Sequence, residues 1–581
     1  MRRRLLLSLG LLAAVVVALA VLRRPRPAPA ISPIQALKAA QKARPANSRL
    51  EGPALLNRAA YLPPQCYAET LDAAGRTHNG CFACHQESRP PNYLNDADVQ
   101  TTLGIARYAT ENRWAHLTSA PVPPASTDAQ VLAWVRTDNY RAADGTPALA
   151  ALLAHPPAAW DGNGDGRWDG YVPDCAFHPD ALGFDRDAQG RATGWRAYAY
   201  APMPGMFWPT NGSAGDAFVR LPQAYREDAR GVPSEDVYRV NLAILESVIR
   251  RTDVPIPPTD ESALEVDLDG DGKLGTASHV AFVWPARQGR PFHYVGRAAS
   301  LDTARHGWAA AGLFPVGAEL LHSVRYLDVQ DGQVRMAPRM KELRYMRKVR
   351  WLTYGDLEMA AQAELREKRK SPDRLKVVLA DVERGVGTGS GWLMQAFIED
   401  RAGALRPQTV EETTACIGCH GGVGATTDST FSFARKVAAP AFHDGWYHWG
   451  ERGFRGVSEP RRADGTGEYA HWLAQVGGGD DYRSNDEVRR KAFRADGTLR
   501  PEFVRALARD VSVLLVPSPA RALALDRAYL GLVQAQRFER GREVVVGGAP
   551  RLKQTLEQDG PTGIEAPVPP AWKASQPTAA R

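Results

Sequence analysis

Apolar positions along this chain fall mostly in short runs broken by Gly, Pro and Asp, and a helical period is clear in only a few windows. Val240, Ile244 and Val248, with Leu245 and Ile249 beside them, form one stripe that predicts an amphipathic helix over about 238–250. Segments near 356–370, 373–384, 501–514 and 519–537 also read as helices. Between 160 and 235, and again between 262 and 335, the short runs read as strands and long loops. No internal repeat is visible apart from paired short motifs.

The longest apolar run is N-terminal. Eighteen apolar or small residues from Leu5 to Leu22 follow Arg2, Arg3 and Arg4 and precede Arg23, Arg24 and Arg26. As a helix this run spans roughly 27 Å, close to the thickness of a bilayer core. It reads as an uncleaved anchor in the inner membrane, with the body in the bacterial periplasm. The alternative is a signal peptide cut after Ala18-Leu19-Ala20 or Ala28-Pro29-Ala30, leaving a soluble body.

The total charge of +7 changes little, because six of the positives are those flanking arginines. The remaining body is close to neutral and makes no case for nucleic acid. One local exception is Arg335, Arg339, Lys341, Arg344, Arg347, Lys348 and Arg350, followed by Arg366, Lys368, Arg369 and Lys370. This stretch reads either as a basic face for an acidic redox partner or as a solvated helix surface interrupted by Glu342 and Glu367. With 581 residues at 44% hydrophobic, the chain can bury several cores. Its 52 glycines and 43 prolines imply much irregular structure. The expected divisions are the N-terminal segment 1–30, a first domain 31–155, a loop- and strand-rich region 156–335, a second domain 336–500 and a helical tail 501–581.

The most specific chemistry is in Cys81-Phe82-Ala83-Cys84-His85 and Cys416-Ile417-Gly418-Cys419-His420. Each is a Cys-x-x-Cys-His, the pattern for covalent attachment of a c-type haem. Two thiols can add to the haem vinyl groups, and the adjacent imidazole, His85 or His420, can bind iron from the proximal side. Two haems are therefore expected. The sixth ligand of each iron stays open: His116, Met203 or Met206 for the first, and His443 or His448 for the second. Trp446 and Trp449 lie beside the last two as an electron path or as core.

Two acidic loops match the first half of an EF-hand calcium loop, Asp161, Asn163, Asp165 with Gly166, and Asp267, Asp269, Asp271 with Gly272. Asp169 fits the ninth position of the first. Neither has an acid at the twelfth, so one or two calcium ions would need borrowed ligands such as Asp174 or Asp180; ion-free Asp/Gly turns are the alternative. The remaining cysteines, Cys66 and Cys175, read as a disulfide in an oxidising compartment or as two separate buried thiols.

On its two motifs the chain is similar to dihaem c-type cytochromes of bacteria. The addition of calcium-type loops gives a distant resemblance to the dihaem cytochrome c peroxidase group. The 335 residues between Cys81 and Cys416 exceed that group's usual spacing, and no further motif carries over. The resemblance implies an α+β multidomain protein, with mainly helical haem c segments around an irregular, loop- and strand-rich middle region with calcium-type loops. The function expected is electron transfer through two haems. The alternative is a peroxidase-like or oxygenase-like oxidoreductase with one open haem site.

Overall fold

A long hairpin organises the chain. Strand β4, Glu319–Gln330, turns at Asp331-Gly332 into strand β5, Gln333–Lys348. Asp331 and Gly332 both have positive φ, 52° and 72°. An Asp-Gly pair in this conformation matches the twist of flanking antiparallel strands. In the computed structural model the described residues are 57–71, 77–78, 80–282, 293–301, 309–437, 453–477 and 482–571. The N-terminal apolar segment, His443, His448, Trp446 and Trp449 lie outside them.

The hairpin is the centre of a nine-stranded antiparallel sheet. On one side it continues through β3 (Ala217–Arg220) and β2 (Ala192–Ala197) to β1 (Phe184–Arg186). On the other side β5 pairs with β8 (Trp392–Glu399), which in turn carries β7 (Gly385–Gly387), the edge strand β6 (Ala380–Asp381), and β9 (Leu405–Pro407). The sheet runs straight through the expected boundary at 335 and 336.

Helices pack on it as apolar stripes demand. Helix α1, Asp128–Arg136, opens with a Thr127–Gln130 capping box. Helix α2, Glu235–Arg250, covers the expected 238–250, is capped by the Ser234 side chain, and buries Val240, Ile244, Leu245, Val248 and Ile249. Helix α3, Tyr354–Lys370, matches its expected window, and helix α6, Pro519–Ala535, lays Leu525, Tyr529 and Val533 against Tyr326 and Ile398 of the sheet. Between them in sequence, helix α4, Ile417–His420, is a single turn and helix α5, Glu468–Val476, buries Tyr469, Trp472 and Leu473.

The fold departs from the α+β expectation of mainly helical haem segments. Among the described residues from 57 to 127 the helical elements are only 3-10 turns such as Cys81–Ala83 and Ala97–Gln100, and the 336–500 region supplies sheet strands. The expected helix at 373–384 is instead an extended segment leading into β6. Pro372 and the β-branched Val377 and Val378 disfavour helix there. The 501–514 window breaks into Pro501–Leu507 and Ser512–Leu515.

The basic stretch at 335–350 lies mostly in strand β5 rather than on a helix, and Arg339, Lys341 and Lys348 are buried there while Arg335, Arg347 and Arg350 are exposed. Arg339 pairs with Glu399 at 2.6 Å, and Lys348 with Asp428 at 2.6 Å. Lys341 lies over the rings of Tyr326 and Tyr529, 4.7 and 4.2 Å from their centroids. Glu342 accepts from Arg344, Gln408 and Arg542, each at 3.0 Å. Burial raises the Glu342 carboxyl, but Arg344 and Arg542 outweigh it and hold the group at about 2, below its ordinary 4.5. A depressed carboxylate stabilises the fold above its unfolded value and loses that contribution as pH falls through the folded one. The stability difference between the parent and Glu342→Gln should therefore be about 3 kcal/mol near neutral pH and shrink as pH falls from about 4.5 to about 2. Urea titrations across that range check this, and a pH-independent difference rules it out.

Neither acidic loop is built as a calcium loop in this fold. Asp161 accepts from the amides of Gly164, Asp165 and Gly166, and Asp165 Oδ1 from that of Arg167. Asn163 Oδ1 accepts from the Asp165 amide. Asp169, at the ninth position, pairs with Arg384, and the candidate borrowed ligands Asp174 and Asp180 pair with Arg220 and Arg186. The second loop closes likewise, Asp267 accepting from Gly270 and Gly272 and Asp271 from Lys273. Each loop is braced by a buried glutamate from outside the motif, Glu383 or Glu261, that accepts from loop amides. Among the described residues one acidic group is close-set: Glu261, Asp267 and Asp269, with oxygens within 4.8 Å of one another.

Candidate functional site

The two Cys-x-x-Cys-His motifs, distant in sequence, meet in the fold. Cys84 and Cys419 pack against one hydrophobic cluster built from Phe82, Met203, Met206, Trp208, Trp472 and Leu473, with Phe207 and Phe431 at its margin. The Ala425 amide donates to the Cys84 carbonyl at 3.0 Å. Asn92 Nδ2 reaches the carbonyls of Gly422 and Val423 at 3.1 and 2.9 Å.

Asp96 is the hub of this junction. Its Oδ2 lies 2.8 Å from His85 Nδ1, while Oδ1 accepts from the amides of Gln86 at 3.2 Å and Gly424 at 3.1 Å. A side chain at Gly424 would run into the Gln86 carbonyl and Asp96, so only glycine permits the approach. Gly418 has the same role against Tyr61 and Pro63. Gly80 lies against the Trp472 ring of α5, which holds the first motif from its other side.

His420 is held by a backbone acceptor, the Ser429 carbonyl, 2.9 Å from its Nδ1. That carbonyl is presented by Asp428 and Ser429, both left-handed with φ of 49° and 59°. The Lys348–Asp428 ion pair and the Phe314 amide, 3.0 Å from Asp428 Oδ2, pin this turn to the sheet. In both motifs, then, Nδ1 is tied to an acceptor. This arrangement fixes the ring and its tautomer and reserves Nε2 for another partner, as in metal-ligating histidines. Burial lowers the basicity of His420, with the Ser429 carbonyl opposing and Arg344 adding to the effect.

His420, Cys416 and Cys419 open onto a cavity of about 230 Å³. Across it stand His322 of β4, Tyr200, Met203, Met206, Phe207 and Arg344. His322 packs edge-on to Tyr200 and Phe207, with Nε2 3.3 Å from the Tyr200 hydroxyl. Burial and the Arg344 charge hold its imidazole neutral, at about 3. Burial likewise pushes the Cys81 thiol up to about 12 and that of Cys419 to about 11, so these sulfurs are neutral thiols near pH 7.

Met203 and Met206, expected for the first iron, instead line the cavity onto which His420 of the second motif opens. His116 is buried one layer back, its Nδ1 3.1 Å from the Gly541 carbonyl, behind the lining residues Trp114 and Leu117. Cys66 and Cys175 are unbridged. Cys66 packs in the cluster of Tyr67, Leu103 and Trp114 near the motif thiols, and Cys175 in a separate core with Tyr140 and Trp195. His322, Asp96 and the Ser429 carbonyl were not foreseen. A carboxylate eleven residues after His85 is a readable signal for Asp96; nothing local to His322 or Ser429 marks either.

A lipoprotein family matches residues 53–506, most of the chain. The chain belongs to this family. A relative from Aquifex aeolicus (strain VF5), described as an uncharacterized lipoprotein, is 29% identical over 535 residues, covering 83% of this chain and 85% of its own length. No solved structure matches. Membership corrects the assignment to dihaem c-type cytochromes and the cytochrome c peroxidase group. The expected electron transfer and peroxidase-like or oxygenase-like chemistry fall with that assignment, since neither family nor relative carries them. Membership does place the chain among exported proteins held at a membrane. No helix among the described residues is long and apolar enough to cross one.

Proposed function

We propose that this lipoprotein-family protein carries two covalently attached haems side by side on the outer side of a membrane. The observation that carries the reading is the shared preparation of His85 and His420, each Nδ1 held by an acceptor and each residue directly following a Cys-x-x-Cys pair. Cys81 and Cys84 would hold one group, Cys416 and Cys419 the other. Bound there, a haem supplies an iron that accepts the free imidazole nitrogen. The chain's own residues do the rest: Asp96 and the Ser429 carbonyl orient the rings, and Met203, Met206, Phe207 and Phe431 give the cavity an apolar wall. A zinc or thiol-cluster reading is weaker, because among the described residues no cysteine belongs to a group of three or more ligand atoms within 4.8 Å of one another.

For attachment, the segment 5–22 is the inner-membrane anchor in this reading, with the body on the periplasmic side.

The intact denatured chain, produced with a haem c maturation system, should weigh two haems more than the bare polypeptide. Cys81→Ala/Cys84→Ala and Cys416→Ala/Cys419→Ala should each remove one. A mass equal to the bare chain under those conditions would defeat the proposal.

A further inference from the structure

Far along the chain from the motif cysteines, the surface after α3 has a composition and geometry that the haem reading leaves unused. Helix α3 ends in Arg366, Lys368, Arg369 and Lys370, and Arg374 and Lys376 follow. Between 366 and 379 there are six basic and two acidic side chains. Lys368 is paired with Asp98 and Arg374 with Glu367, while Arg366, Arg369, Lys370 and Lys376 are exposed.

The segment that follows is extended, so alternate side chains point to opposite sides. Val378 and Ala380 turn inward against the hydrophobic core. Lys376 turns to the body as well, 5.4 Å from the centroid of the Tyr61 ring, its amide 3.2 Å from the Tyr108 hydroxyl. Leu375, Val377 and Leu379 take the outward positions, and they are 49%, 74% and 48% exposed. Met359 of α3 is 64% exposed. A row of three outward aliphatic side chains is not explained by packing within this chain. It runs beside unneutralised cations and leads into the edge strand β6.

We propose that 366–379 is a membrane-contact surface that lays Leu375, Val377 and Leu379 into the interface of an anionic bilayer, with Arg366, Arg369 and Lys370 at the headgroups. Two observations select lipid over a protein strand added to β6. The apolar row carries a matching set of cations, as interfacial segments do. The family is one of membrane-held proteins, so a bilayer lies within reach at high effective concentration. A second contact of this kind would fix the orientation of the body on the membrane. The inference does not depend on the haems.

Hydrogen–deuterium exchange of the full-length protein in nanodiscs tests it. In discs containing phosphatidylglycerol, amides at 373–379 should exchange several-fold more slowly than in discs of phosphatidylcholine alone, and high salt should reverse the difference. Leu375→Ser/Val377→Ser/Leu379→Ser should lose the protection while the β4–β5 amides stay protected, which shows the fold intact. Arg369→Ser/Lys370→Ser, on an exposed helix end, should weaken it without touching the apolar row. Equal exchange in both discs would overturn the proposal, as would full protection in the triple variant; a protein partner at β6 predicts the first of these.

Discussion

Replacing Asp428 with alanine should cost about 3–5 kcal/mol of stability, the range for removing one partner of a fully buried ion pair. Lys348 and Asp428 are both 0% exposed and 2.6 Å apart. The alanine variant leaves the Lys348 ammonium in a site whose other neighbour is the Ser390 carbonyl, 3.1 Å away, and removes the acceptor for the Phe314 amide. Burial already makes both groups less willing to carry charge, raising the Asp428 carboxyl and lowering the Lys348 amine. Lys348→Met/Asp428→Leu should recover most of the loss, because matched apolar groups replace a buried pair at little cost. Functionally the larger consequence is downstream. The 428–429 turn presents the Ser429 carbonyl to His420, so loosening it frees that imidazole. Urea unfolding of the three variants decides the matter; a single-variant loss below about 1 kcal/mol would show the pair to be marginal.

Asp96→Ala should cost about 3 kcal/mol, because it strands the amides of Gln86 and Gly424 and releases His85 Nδ1 together. Both amides are buried at the seam between the motifs, so water cannot easily replace the carboxylate. Asp96→Asn retains a carbonyl oxygen for the backbone donors and should keep most of the stability while disturbing His85. Peptide mass spectrometry of the matured chain should then show reduced haem attachment at Cys81 and Cys84 with Cys416 and Cys419 unaffected. Equal loading at both motifs in the alanine variant would separate Asp96 from the site and leave it a structural residue only.

The candidate site was legible in its covalent parts and illegible in its supports. Cys81, Cys84, His85, Cys416, Cys419 and His420 stand in two contiguous patterns, which a linear reading finds directly. The residues that orient them come from elsewhere: Ser429 from a left-handed turn, His322 from the middle of β4, Gly424 from a loop that closes on the first motif. Their roles rest on contacts across more than three hundred residues of sequence in the Gly424–Asp96 case, and no local pattern encodes a contact of that range.

By itself the sequence determined the helices whose apolar stripes face one way, such as Glu235–Arg250 and Pro519–Ala535, and the Asp-Gly hairpin turn whose residue types suit positive φ. These are local choices, made by periodicity, caps and backbone sterics. Tertiary structure alone decided the central sheet. Strand β5 carries charge after charge and looks like a solvated surface until Glu399, Asp428 and Arg542 arrive from other segments to neutralise it and Gln408 donates to Glu342. Burying Arg339, Lys341, Glu342 and Lys348 is tolerable only when each gains a partner as it loses water. That compensation exists in the folded arrangement and nowhere along the chain.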